Sequence, residues 1–187
     1  MTKTCARCHV TKPLSEFSKN RKHKDSLRND CKVCQSEAKR KYLRTYTGKA
    51  KNAQTFAKYR RKRAEKAIGQ PIKCDLTSHQ VSFILSEGSC GYCQKPLEYA
   101  EATVDHVIPH ARGGYNTFDN VVCACSSCNA TKRDRPALLF MLQSCSPHAS
   151  KRLLERLALR SGSDVTEIYA GLVVDAHAYF EQVTSDA

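Results

Sequence analysis

The chain has 187 residues, 41% hydrophobic and 26% charged, with 31 Lys and Arg against 18 Asp and Glu. That length sets one or two domains of modest core and excludes a large multidomain enzyme. No run approaches the roughly 20 apolar residues of a membrane helix, and the N-terminus leads into a Cys pair rather than an apolar signal core, so a soluble cytoplasmic protein that does not span a membrane is expected.

The net charge of +13 is concentrated at one end. Residues 1–73 hold 22 Lys/Arg and 5 Asp/Glu, a net of +17, whereas residues 74–135 and 136–187 are each −2. A polycation attached to a nearly neutral body points to a polyanionic partner, nucleic acid or an acidic membrane surface.

Residues 1–34 contain Cys5/Cys8 and Cys31/Cys34, two CxxC pairs in a stretch poor in large apolar residues, where Leu14, Phe17, Leu27 and Val33 are too few to build a core unaided. A second two-pair set, Cys90/Cys93 and Cys125/Cys128, lies further on, with Cys74, Cys123 and Cys145 outside the pairs. An odd cysteine count in paired spacing argues for metal rather than a disulfide framework. Two residues between thiolates let both sulfurs of a tight turn meet one tetrahedral Zn²⁺, and a second pair closes the site. Two structural zinc ions are therefore expected. The first must supply much of the folding free energy of its module, on the order of 10 kcal/mol.

Gln35 to Ile68 is strongly helix-forming, with Ala50, Ala53, Ala57 and Ala64 near helical spacing and Gly48 as a weak point costing roughly 1 kcal/mol. About thirty helical residues reach about 45 Å, more than a turn of duplex DNA. Arg40, Arg44, Arg60, Arg61 and Arg63 are its candidate phosphate contacts. Gly69, Gln70 and Pro71 end it. Asp75 is then placed to cap a helix over Leu76 to Ser86 with Val81, Ile84 and Leu85 as its apolar face.

Val104 to Ile108 reads as a short strand stopped by Pro109, Gly113-Gly114 as a turn, and Val121 to Ala124 as the returning strand before a helix starting near Cys125. Beyond Pro136 three helices are expected: Ala137 to Cys145, then Pro147 to Arg160 capped by Ser146 and ended by Gly162. The last runs from Asp164 to Val183, with Asp164 and Glu167 spaced for a capping box. Leu153, Leu154, Leu157, Leu159, Ile168, Leu172, Tyr179 and Phe180 give this tail its apolar surface.

The two later CxxC pairs, Asp105-His106 followed by Pro109, the Gly113-Gly114 turn, Asn120 and Cys125-Ser-Ser-Cys128-Asn129 occur in an order that resembles the zinc-braced HNH endonucleases. The likeness covers residues 74 to 135. It implies a small α+β, zinc-stabilised ββα-metal core of treble-clef type, here with an N-terminal zinc module, a long basic helix and C-terminal helices. The implied domains are a zinc module (1–34), a basic helical linker (35–70), a nuclease domain (71–135) and a helical region (136–187).

The resemblance assigns His106 as general base. Asp105 and Asn129 become oxygen ligands of one catalytic Mg²⁺ or Mn²⁺, and Asn120 the brace of the loop carrying the base. Oxygen donors of this kind suit hard divalent cations. Asn129 also fits an ordinary helix cap. Lys132 and Arg133 share its helical face and, with Arg112 on the loop and less strongly His110, are candidate DNA contacts. Cys123 is a third thiol beside Cys125 and Cys128; spacing and resemblance favour the latter two as ligands.

The first module, with Lys12, Pro13, Leu14, Phe17, Lys32 and Glu37 around its cysteines, resembles the zinc modules ahead of phage nucleases, although Asp25-Ser26 stands where Asp-Gly is usual. A phage source would place the protein in the host cytoplasm. The function implied is hydrolysis of DNA, duplex or branched, to 3′-hydroxyl and 5′-phosphate ends, one strand per active site. Double-strand cutting would need a homodimer or two binding events. The alternative is a non-catalytic zinc-containing DNA-binding regulator.

Overall fold

A computed structural model describes residues 1–185. The chain forms a small α+β structure of two compact units, Met1–Gly48 and a larger one from Lys49 onward. None of its described helices is long and apolar enough to cross a membrane.

The first unit is two β-hairpins and a helix. Strand β1 (Thr2–Thr4) pairs antiparallel with β2 (Thr11–Pro13), and β3 (Phe17–Lys19) with β4 (Leu27–Cys31), which runs directly into α1 (Lys32–Leu43). Its core is only Cys5, Phe17, Cys31 and Cys34 with Leu27 against them, while Val33 is exposed. So few apolar side chains cannot offset the conformational entropy of ordering the unit, which makes it dependent on a crosslink at the cysteines.

The single helix expected from Gln35 to Ile68 is instead two. α1 stops at Leu43 and α2 (Tyr46–Ile68) starts after Arg44 and Thr45. Thr45 Oγ1 donates to the Tyr42 carbonyl and accepts from the Gly48 amide, a side-chain turn that competes with the helical ladder. A Cβ at position 48 would overlap the Tyr42 carbonyl oxygen, so Gly48 permits this close turn rather than merely weakening a helix.

In the second unit, α2 from Lys49 to Ile68 precedes α3 (Ser78–Leu85). Thr77, not Asp75, caps α3: Thr77 Oγ1 accepts from the Gln80 amide while Gln80 Oε1 accepts from the Thr77 amide. Strand β5 (Thr103–His106) pairs antiparallel with β6 (Val121–Ala124) in the register Thr103/Ala124 to His106/Val121, and α4 (Ser126–Lys132) follows. Every residue of β6 is buried, because the strand is covered on both faces.

Three helices complete the unit: α5 (Ala137–Ser144), α6 (Pro147–Ser161) and α7 (Val165–Ser185). Ser146 caps α6 by accepting from the Ala149 amide, and Asp164 accepts from the Glu167 amide ahead of α7. Tyr92, Val121, Val122, Phe140, Leu153 and Leu157 form the centre of the core. Leu159 is 86% exposed and Phe180 53% exposed, so the apolar surface of the tail is only partly used in packing. Arg156 and Arg160 of α6 both pair with Glu87, tying that helix to the segment leading into Cys90.

Candidate active site and metal centres

The eight CxxC cysteines assemble into two separate clusters. Cys5, Cys8, Cys31 and Cys34 lie with all sulfurs within 4.8 Å of one another, as do Cys90, Cys93, Cys125 and Cys128. Either group could hold a metal ion. Two sulfurs about 2.3 Å from one tetrahedral ion lie about 3.8 Å apart, and both Cys5 to Cys34 and Cys93 to Cys125 measure 3.9 Å. The backbone amides of Cys8 and Cys31 pull the Cys5 thiol down to about 6, whereas burial pushes its cluster partner Cys34 up. Cys123 lies outside both clusters, fully buried on β6.

The second cluster clamps the start of the segment feeding β5 to the start of α4: Cys125 is the N-cap of α4, its sulfur accepting from the Cys128 amide. This fixes where Asn129 sits. Its amide nitrogen donates to Thr103 Oγ1 at 3.0 Å and to the Val104 carbonyl at 3.3 Å, both on β5, so the helix is stitched to the strand and Asn129 Oδ1 is the free atom.

Neighbours on a regular strand face opposite ways, so Asp105 and His106 can share a site only where a strand stops. β5 stops at His106, and both side chains line one cleft with Asn129, a space of about 580 Å³. Arg60 and Arg63 of α2 and Arg133 after α4 line the same cleft.

Asp105 is 6% exposed. Its Oδ2 accepts from the Tyr92 hydroxyl at 2.6 Å and pairs with Lys132 Nζ at 3.0 Å. Burial raises its pKa despite the opposing pull of Lys132. Lys132 has no exposed surface and also donates to the His106 carbonyl at 2.7 Å, so it braces the end of β5 from within instead of facing solvent.

His106 Nε2 lies 2.8 Å from Asn116 Oδ1. A carbonyl oxygen only accepts, so Nε2 carries the proton and Nδ1 the lone pair. Burial pushes His106 down to about 3, so its ring is neutral. His110 lies beside it at 4.0 Å between ring centroids, the ring planes tilted by 47°; its Nδ1 donates to the Gly114 carbonyl at 2.7 Å, while its buried Nε2 has no partner among the described residues. Asn120 closes the loop: Oδ1 accepts from the Ile108 amide, and Nδ2 donates to the carbonyls of Ile108 and Tyr115.

Other expected phosphate contacts are placed differently. Arg112 is turned away from the cleft onto α7, with Nε 3.0 Å from Asp175 Oδ1, Nη2 donating to the Asp175 carbonyl and the guanidinium over the Tyr179 ring. Arg61 points to Glu65 and the Ile72 carbonyl. Arg40 and Arg44 are exposed on the first unit. Asn116, Tyr92 and Thr103 complete the site but carry no sequence signal of their own; only their contacts reveal them.

Residues 90–137 match the HNH endonuclease family. A curated relative, the CRISPR-associated endonuclease Cas9 of Corynebacterium diphtheriae, is 33% identical over 92 residues, which is 49% of this chain and 8% of that protein. Among solved structures, the type II-C Cas9 of Actinomyces naeslundii aligns with a TM-score of 0.37 and 18% identity over 67% of this chain and 16% of that one. The HNH endonuclease match thus covers the segment 90–137, which holds Asp105, His106, Asn120 and Asn129.

Proposed function

We propose that the protein is a divalent-metal-dependent DNA endonuclease. The observation that carries this reading is the convergence of a neutral imidazole with a free Nδ1 lone pair, a carboxylate and a free amide oxygen in one cleft rimmed by three arginines. In this reading Asp105 and Asn129 Oδ1 would hold a Mg²⁺ or Mn²⁺, which would supply charge stabilisation at the scissile phosphate and the departing oxygen.

The chain's own residues do the rest. His106 Nδ1 takes the proton from the attacking water, with Asn116 holding the ring and its tautomer. Arg60, Arg63 and Arg133 offset phosphate charge, Lys132 opposes the effect of burial on Asp105 and holds its carboxyl in place, and Asn120 holds the loop on which His106 and His110 sit. Both four-Cys clusters are read as structural zinc sites that take no part in hydrolysis.

A single base acts on one strand at a time, with the products carrying 3′-hydroxyl and 5′-phosphate ends. Incubation of the zinc-loaded protein with supercoiled plasmid and Mg²⁺ or Mn²⁺ tests this. Accumulation of open circles whose nicks a DNA ligase reseals is expected. Intact plasmid with DNA binding retained would instead favour the non-catalytic regulator.

A further inference from the structure

A second cavity, about 250 Å³, lies next to the catalytic cleft and shares Arg60, His106 and Asn129 with it. Building on the nuclease reading, we propose that this cavity receives one nucleobase of the strand being cut, the base next to the scissile phosphate, which is therefore unpaired when cleavage occurs.

Three features define the occupant. One side of the cavity is apolar, with Ala53 and Ala57 of α2 facing Val81 and Leu85 of α3, while the polar groups Lys49 and Gln54 are already held by backbone carbonyls. Among them stands Asn52, half-buried, whose side-chain amide has no hydrogen-bond partner among the described residues. At the rim Phe56 leaves 55% of its surface exposed. A nucleobase has two flat faces for apolar walls and an aromatic ring, and a polar edge for an amide. A bare phosphate would make no use of the alanines and leucine, and an aliphatic chain none of Asn52.

Continuity with the catalytic cleft fixes which base is meant. Ala53, Ala57, Arg60, Ala64 and Ala67 follow one another at helical spacing along α2 and line the two spaces in succession, alanine leaving room and arginine standing at the join. A phosphate held at Arg60, His106 and Asn129 has its attached nucleoside within reach of the neighbouring cavity. A base inside these walls with its edge toward Asn52 has left any duplex stack.

The test uses zinc-loaded full-length protein and a single-stranded oligonucleotide whose cleavage position has been mapped, with one abasic site moved through the positions flanking the cut. Wild type is expected to lose about tenfold or more in single-turnover rate at one position. Ala57→Leu, which keeps a strong helix former but fills the cavity, should cut the intact strand about tenfold more slowly and show no further loss from the abasic site.

Binding supplies a readout independent of cleavage. In His106→Ala, 2-aminopurine at that position should change fluorescence on binding, and adding Ala57→Leu should abolish the change. Equal cleavage of the intact strand and every abasic strand by wild type overturns the pocket while leaving the nuclease reading in place. If no DNA is cut, the nuclease reading is overturned, and 2-aminopurine moved through every position of the strand then reads the cavity by itself: a change that Ala57→Leu abolishes keeps a base-binding cavity, and no change at any position overturns it.

Discussion

His106 and Asn116 are joined by a 2.8 Å contact from Nε2 to Oδ1, and the other end of the Asn116 amide donates to Cys74 Sγ at 3.2 Å. Ten residues apart in sequence, they meet because Asn116 is buried in a bridge with Cys74, which brings the loop after Gly114 back to the end of β5. In this arrangement Nε2 donates to the Asn116 amide oxygen and Nδ1 is left free. Asn116→Ala should therefore lower the cleavage rate by about 10²-fold with DNA affinity unchanged, within the range general-base catalysis contributes. Single-turnover rates beside filter-binding constants check it; equal loss in both would make Asn116 a folding residue only.

The pair Lys132 and Asp105 is buried, and removal of one partner leaves the other's charge uncompensated. Lys132→Met should destabilise the second unit by about 3–5 kcal/mol. Tyr92→Phe, which removes one hydrogen bond to the same carboxylate oxygen, should cost about 1–3 kcal/mol. Urea unfolding in excess zinc measures both, and a Lys132→Met variant as stable as wild type would contradict the buried placement.

Arg112 and Arg133 separate a structural arginine from an interfacial one. Arg112→Ala should lower stability, since it unties the loop from α7, and leave the salt dependence of DNA binding unchanged. Arg133→Ala or Arg60→Ala should reduce the slope of log affinity against log salt by about one unit. The opposite assignment of slopes would return Arg112 to the DNA surface.

Burial holds the His106 pKa at about 3, well below its ordinary 6.5. Between those values the unfolded chain binds more protons than the folded one, so this group's contribution to stability is complete above about pH 6.5 and shrinks as pH falls toward 3. In magnesium-free buffer the wild type should thus lose more stability between pH 7 and pH 5 than His106→Gln does. Identical losses in paired urea titrations would show that the ring is not held neutral.

Zinc content distinguishes the three thiols around β6 and α4. Wild type and Cys123→Ser should each bind two zinc ions per chain, because Cys123 stands outside both clusters. Cys5→Ser should lose the first site and unfold the first unit, whose apolar core is minimal. Cys125→Ser should lose the second site and cleavage together, since that residue also caps the helix carrying Asn129. Loss of a zinc ion in Cys123→Ser would reassign the ligands.

The cysteine spacing and the order of Asp105, His106, Asn120 and Asn129 were legible in the sequence because each is a local signal. So were the β5 and β6 hairpin, the helix starts at Ser146 and Asp164, and the cationic face of α2. What stayed hidden depends on contacts between distant residues. Lys132 follows Asn129 on an apparently exposed helix face, and only Asp105 and the His106 carbonyl, more than twenty positions earlier, draw it inward. Arg112 finds Asp175 across 63 positions. The break between α1 and α2 rests on one Thr45 hydroxyl outcompeting otherwise strong helix propensity.

The cleavage rate of His106→Ala tests the account most directly, because it separates the proposed base from the groups that bind DNA. With Mg²⁺ or Mn²⁺ present and zinc content verified, the variant should bind DNA almost as wild type does and nick plasmid at least about 10²-fold more slowly. Nicking at the wild-type rate would contradict it.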